Sequence, residues 1–95
     1  MSSHFRLKFE FFGIPRLRAG VAEFFVDLHS DRNTLGDALK MLRVGLPEID
    51  EACFDGKCLK KEYLLNISGD RFTKEISTRL LEGDSVLLLS SDVGG

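Results

Sequence analysis

The start of the chain alternates strictly between two kinds of side chain. Over residues 5–11 every second position is apolar, and the positions between are charged. The apolar set is Phe5, Leu7, Phe9 and Phe11, and the charged set is Arg6, Lys8 and Glu10. A period of two predicts a β-strand with one face in the core and the other toward solvent.

A second strand is predicted over residues 21–28, where apolar side chains again fall on one face. These are Ala22, Phe24, Val26 and Leu28. The segment between the two strands contains Gly13, Pro15 and Gly20, which are residues typical of turns. The pattern therefore predicts a hairpin with a long connection.

One amphipathic helix is predicted after this hairpin. Asn33 or Thr34 can cap its start, and Asp37 lies near the positive end of the helix dipole. Apolar residues then recur at helical spacing, at Leu35, Ala38, Leu39 and Leu42. Gly45 is expected to end this helix, and Pro47 is expected to open a short helical turn.

Two further strands are predicted over residues 63–67 and 85–90, and residues 71–82 fit no single element. The order of elements predicts an α+β domain of two layers, with the helix packed on one face of the sheet. We expect residues 1–90 to form this domain and residues 91–95 to form a flexible tail.

Charge and composition exclude several classes of function. The net charge of −2 provides no basic field for nucleic acid, and no apolar run is long enough for a membrane helix. We expect a cytoplasmic protein without a signal peptide. Cys53 and Cys58 lie far in sequence from His4 and His29, so no zinc-binding spacing is present. The two cysteines are expected to be reduced thiols, one of them a small buried apolar group.

No arrangement of nucleophile and base is evident, so we expect the chain to catalyse no reaction alone. The sequence ends in the pair Gly94-Gly95. Together with the order of elements, this pair resembles the small sulfur-carrier family that includes ThiS and the small subunit of molybdopterin synthase (MoaD-like). The resemblance covers the Phe-rich first strand, residues 34–39, 65–69 and 81–86, and the glycine pair. Ser90-Ser91-Asp92 stands where many members of the molybdopterin branch carry proline.

The resemblance implies a ubiquitin-like β-grasp with a mixed sheet of four to five strands. It also implies that a partner enzyme adenylates the carboxylate of Gly95 and that sulfur then replaces the adenylate. Gly94 would give the partner access to the tail, because glycine has no Cβ. The implied partners are a ubiquitin-activating-like adenylating enzyme, which uses ATP, a sulfur-donor protein, and a molybdopterin synthase large subunit. No cofactor is expected to stay bound.

A docking face is predicted from the last strand. Leu87 and Leu89 alternate with the core residues and share a face with Phe25, Arg6 and Lys8. A strand buried on both faces would give the same apolar run. Two other functions remain open: a protein modifier joined to lysines through Gly95, and a passive interaction domain for which the glycine pair is dispensable.

Overall fold

The structure is a computed structural model, and it describes residues 3–91. Over this range three helices and seven strands form. The helices are α1 (Ile14–Ala19), α2 (Leu35–Gly45) and α3 (Pro47–Cys53). The strands are β1 (His4–Phe11), β2 (Glu23–His29), β3 (Phe54–Asp55), β4 (Cys58–Leu59), β5 (Tyr63–Ile67), β6 (Arg71–Phe72) and β7 (Ser85–Ser90).

The main sheet has five strands in the order β2-β1-β7-β5-β6, with β3 and β4 forming a separate small hairpin. Strands β1 and β7 run parallel, and the other neighbours in the main sheet are antiparallel. The predicted hairpin of β1 and β2 is confirmed, with Phe9 opposite Phe24. The last strand of the described chain therefore lies in the middle of the sheet, hydrogen-bonded on both sides.

Helix α2 begins at the predicted capping residue. The Thr34 hydroxyl accepts a hydrogen bond from the Asp37 N–H (3.2 Å), and the Asp37 carboxylate accepts one from the Thr34 N–H (3.1 Å). The two bonds satisfy donors that the first turn of a helix leaves free. The Thr34 hydroxyl also donates a hydrogen bond to the Asp37 carboxylate (2.8 Å), and this bond and the one from the Thr34 N–H lower the pKa of the carboxyl below its ordinary value.

Core side chains come from both layers and are apolar. Alternate residues of β1 and β7 meet one stripe of α2, as the two periodicities predicted. Leu7, Phe9, Leu42 and Leu88 are at most about 1% exposed. The two-layer α+β fold, with its main helix on one face of a mixed sheet, is confirmed.

The connection between β1 and β2 differs from the predicted turn, because residues 14–19 form α1. Pro15 occupies one of its first positions, where a missing N–H costs nothing, and Gly20 ends it in the left-handed conformation (φ 75°). Six residues are too few for a stable isolated helix, so packing against α3 and β7 holds α1 in place. In the described part of the chain, no helix is both long and apolar enough to span a membrane.

Candidate functional site

The site begins where the central strand ends. β7 stops at Ser90, and the N–H of Ser91 donates a hydrogen bond to the Glu62 carbonyl (2.7 Å). This bond fixes the last described residue against the segment that precedes β5. Gly94 and Gly95 lie outside the described residues, and their roles stay predictions.

Leu87 and Leu89 lie on the open face of the sheet, which is the face away from α2. They are half-buried, whereas Val86 and Leu88, which alternate with them, are fully buried. The predicted alternation is therefore present in β7. Because the open face still exposes part of both side chains, β7 is not buried on both faces.

On the β1 side Leu87 lies opposite the charged Glu10, whereas the side toward β5 and β6 is mostly apolar. On β5, Leu89 lies opposite Leu64 and Leu87 lies opposite Asn66, and Asn66 in turn lies opposite Phe72 of β6. We call Leu64, Leu87, Leu89 and Phe72 the apolar half of the open face. Phe72 is 62% exposed at the sheet edge, so the apolar half is open to a partner on this side.

The other predicted docking residues lie on β1 and β2 and form a charged half. Phe25 is opposite Lys8, and Arg6 lies with its guanidinium 5.6 Å from the centre of the Phe25 ring. On the β7 side, Lys8 is opposite Ser85, not one of the leucines. The five predicted docking residues therefore share one face but form two separate groups.

The charges of this second group are paired with one another. The Arg6 guanidinium is 3.8 Å from the Asp27 carboxylate, and the Lys8 amine is 3.7 Å from Glu10 and 3.8 Å from Glu23. Exposed pairs of this kind contribute about 0–1 kcal/mol each to stability. Their main effect is to leave the open face without a strong field of either sign, so shape and apolar contact dominate its recognition chemistry.

Sequence reasoning missed one residue of the open face. Asn66 is 6% exposed, and its Oδ1 atom is buried without a hydrogen-bond partner within residues 3–91. The alternation of β5 would have placed it beside Leu64 on the open face. Its burial was not predictable, because it depends on Leu87, which is distant in sequence, and on the pairing of Phe72 in the short strand β6.

The two cysteines have different environments, and both are free thiols. Cys53 is fully buried at the end of α3, whereas Cys58 is exposed on β4. Burial raises the pKa of the Cys53 thiol, so this sulfur is protonated at neutral pH and is a poor nucleophile. Across the described residues, no group of three or more His, Cys, Asp or Glu side chains is placed to hold a metal ion.

Solved structures with the same architecture provide the comparison. No protein-family model and no curated protein sequence matches the chain. SAMP1, the small archaeal modifier protein 1 of Haloferax volcanii, is 23% identical, with a TM-score of 0.81 over 95% of this chain and 99% of that one. The chain has the ubiquitin-like β-grasp fold.

Two further neighbours share this fold. A putative molybdopterin converting factor subunit 1 from Pyrococcus furiosus is 19% identical, with a TM-score of 0.69 over 90% of this chain and 97% of that one. A chain from the complex of subunits 1 and 2 of the molybdopterin-converting factor of Helicobacter pylori is 20% identical, with a TM-score of 0.62 over 95% of this chain and 99% of that one. The β-grasp implied by the sequence is thus confirmed.

Proposed function

We propose that this β-grasp domain is a sulfur carrier, whose Gly95 carboxylate is activated by a partner enzyme and converted to a thiocarboxylate. The acceptor would be a step in the biosynthesis of molybdopterin or a thiamin-like cofactor. One observation carries the proposal: in the sequence the glycine pair stands four and five positions after the end of a central strand, in a fold shared over 90% of this chain with a putative molybdopterin converting factor subunit 1.

The chemistry requires a partner with an ATP site. A carboxylate is a poor electrophile, so attack on ATP first forms an acyl-adenylate at Gly95 and releases pyrophosphate. A sulfur nucleophile then forms the new carbon–sulfur bond, and AMP leaves with the carbon–oxygen bond. The chain is therefore a substrate in both steps and supplies no catalytic group.

The domain supplies a rigid base for the tail. Strand β7 is hydrogen-bonded to β1 and to β5, and Ser91 is held by Glu62. A fully extended chain spans about 3.5 Å per residue, so four residues reach at most about 14 Å beyond Ser91. An active site that takes the carboxylate must come this close to the end of β7, which brings the partner surface alongside the sheet.

Ordering the tail costs about 1–2 kcal/mol per residue, so contacts with the domain must provide the affinity. We propose the open face as the source of these contacts, with Leu87 and Leu89 at the centre. Phe25, Arg6 and Lys8 would form a separate flank. The Helicobacter pylori neighbour was solved as a complex with its second subunit, which supports a function carried out with a partner protein.

Exchange of labelled pyrophosphate into ATP tests the activation step. The chain is mixed with a candidate adenylating enzyme from the same organism, after its intact mass has established that Gly95 is the terminal residue. We expect exchange that depends on the chain and is absent for a variant that lacks Gly95. Equal exchange with the truncated variant would refute activation at this carboxylate.

Protein modification is the second candidate, and the similarity to the small archaeal modifier protein 1 favours it. The same acyl-adenylate would then lead to an isopeptide bond between Gly95 and a lysine of a target. Peptide mass spectrometry separates the two functions. Lysines carrying the C-terminal glycines would favour the modifier, whereas a thiocarboxylate consumed by a synthase would favour the carrier.

A further inference from the structure

Asn66 is a polar residue without a polar role in the isolated domain. On β5 the core side is formed by Tyr63, Leu65 and Ile67, so Asn66 and Leu64 face the open side. Asn66 is nevertheless buried, with only 6% of its surface exposed, and no donor among residues 3–91 reaches its Oδ1 atom. A buried acceptor without a donor destabilises the state that contains it, and such atoms are uncommon in native proteins.

The residues around Asn66 keep water away from its Oδ1 atom, although the atom lies on the open face. The residues directly opposite are Leu87 on one side and Phe72 on the other. Leu87 is held in the central strand, but Phe72 is 62% exposed and belongs to a two-residue edge strand that pairs only with β5. Phe72 is therefore the side chain that can move to open a path to Oδ1.

We propose that Asn66 is the polar recognition point of the apolar half. Its Oδ1 atom accepts a hydrogen bond from an uncharged N–H group, presented within an apolar surface of the partner protein that activates Gly95. This inference rests on the proposed function. The hydrogen bond exists only in the complex, so it adds specificity for a partner that supplies the donor.

The chemistry of the face selects the class of donor. The Glu10 carboxylate opposite Leu87 is already 3.7 Å from the Lys8 amine. A lysine or arginine placed among Leu64, Leu87 and Phe72 would therefore lose its hydration for one neutral acceptor, which is unfavourable. A backbone amide or a side-chain amide loses far less. Because the charges of β1 and β2 are paired with one another, the partner is not selected by long-range attraction, and binding should depend weakly on salt.

The substitution Asn66→Leu tests the proposal because it keeps the size of the side chain and removes the carboxamide. The binding probe is the adenylating enzyme of the exchange assay, titrated by calorimetry without ATP. We expect the melting temperature of the free domain to stay the same or rise, since an unpaired polar atom is removed. We expect affinity for the enzyme to fall about tenfold or more, since its donor is left unpaired.

Asn33→Leu is the matched control, since Asn33 is buried too but its amide donates to the Leu80 carbonyl (3.0 Å). This variant should lower the melting temperature. A similar drop in the melting temperature of Asn66→Leu would show a structural role for Asn66 and overturn the proposal. Wild-type affinity of Asn66→Leu for the enzyme would also overturn it. Absence of any binding by the wild-type chain would overturn it too. Pyrophosphate exchange tests the activation of Gly95 separately. If affinity depends on Asn66 but no exchange occurs, only the proposed chemistry at Gly95 is refuted.

Discussion

Truncation of two neighbouring leucines in β7 should distinguish a residue that stabilises the fold from one that binds the partner. Leu88 is fully buried in the core, and Leu87 is half-buried on the open face. Truncation of Leu88 to alanine leaves a closed cavity, which costs about 3–5 kcal/mol in the free energy of unfolding. For a domain of this size, each kcal/mol corresponds to about 4–8 °C, so Leu88→Ala should lower the melting temperature by at least ~12 °C.

The same truncation at Leu87 should have a smaller effect on stability. Solvent fills the space left on the open face, so no cavity remains, and about two-thirds or more of the roughly 2.4 kcal/mol for three buried carbons is lost. We expect a decrease of about 1.6–2 kcal/mol, against about 3–5 kcal/mol for Leu88→Ala. Partner affinity should nevertheless fall about fivefold or more, because Leu87 lies at the centre of the proposed docking face.

Circular dichroism during heating and calorimetric titration with the adenylating enzyme measure the two effects. Equal losses of stability for Leu87→Ala and Leu88→Ala would show that the open face is part of the core. Wild-type affinity in a folded Leu87→Ala variant would show that the partner binds elsewhere. The first result would refute the separation of the two faces, and the second would refute the docking proposal.

Two other predictions concern local structure. Thr34→Ala should lower the free energy of unfolding by about 1 kcal/mol in urea titrations at neutral pH, because it removes the cap of α2. Hydrogen bonds from Thr34 lower the pKa of Asp37 in the fold, so the ionised carboxylate stabilises the domain above its ordinary pKa of 3.8. This stability is lost as the pH falls through the lowered pKa, and Thr34→Ala should weaken that acid dependence. Iodoacetamide should alkylate Cys58 in the native protein and Cys53 only in denaturant, as read by peptide mass; rapid native alkylation of Cys53 would contradict its burial.

Elements with a regular period were predictable from the sequence. The alternation from Phe5 to Phe11 gave β1, and Thr34 with Asp37 located the start of α2. These patterns are local, because each strand or helix repeats its own geometry against one apolar layer.

Elements held by distant contacts were not predictable. The sequence around Pro15 is typical of a turn, and α1 forms there because α3 and β7 pack against it. Strands β3 and β4 have two residues each, too few for alternation to show.

The candidate site shows the same limit. Which side chains share the open face follows from alternation within each strand. Which of them are neighbours follows from the order β2-β1-β7-β5-β6, and this order separates Phe25 from Leu87 by the width of β1. The burial of Asn66 likewise depends on β7, which is remote from it in sequence, and on β6, whose two residues are too few to show a pattern.

The central claim is that Gly95 carries sulfur, and the intact mass of the chain tests it most directly. The protein is incubated with ATP, the adenylating enzyme and a sulfur donor, beside a variant without Gly95. Replacement of one terminal oxygen by sulfur adds about 16 Da, as the activated carboxylate chemistry requires. We predict this increase in the full chain alone. An unchanged mass, with an enzyme that does activate Gly95, would contradict the sulfur-carrier account.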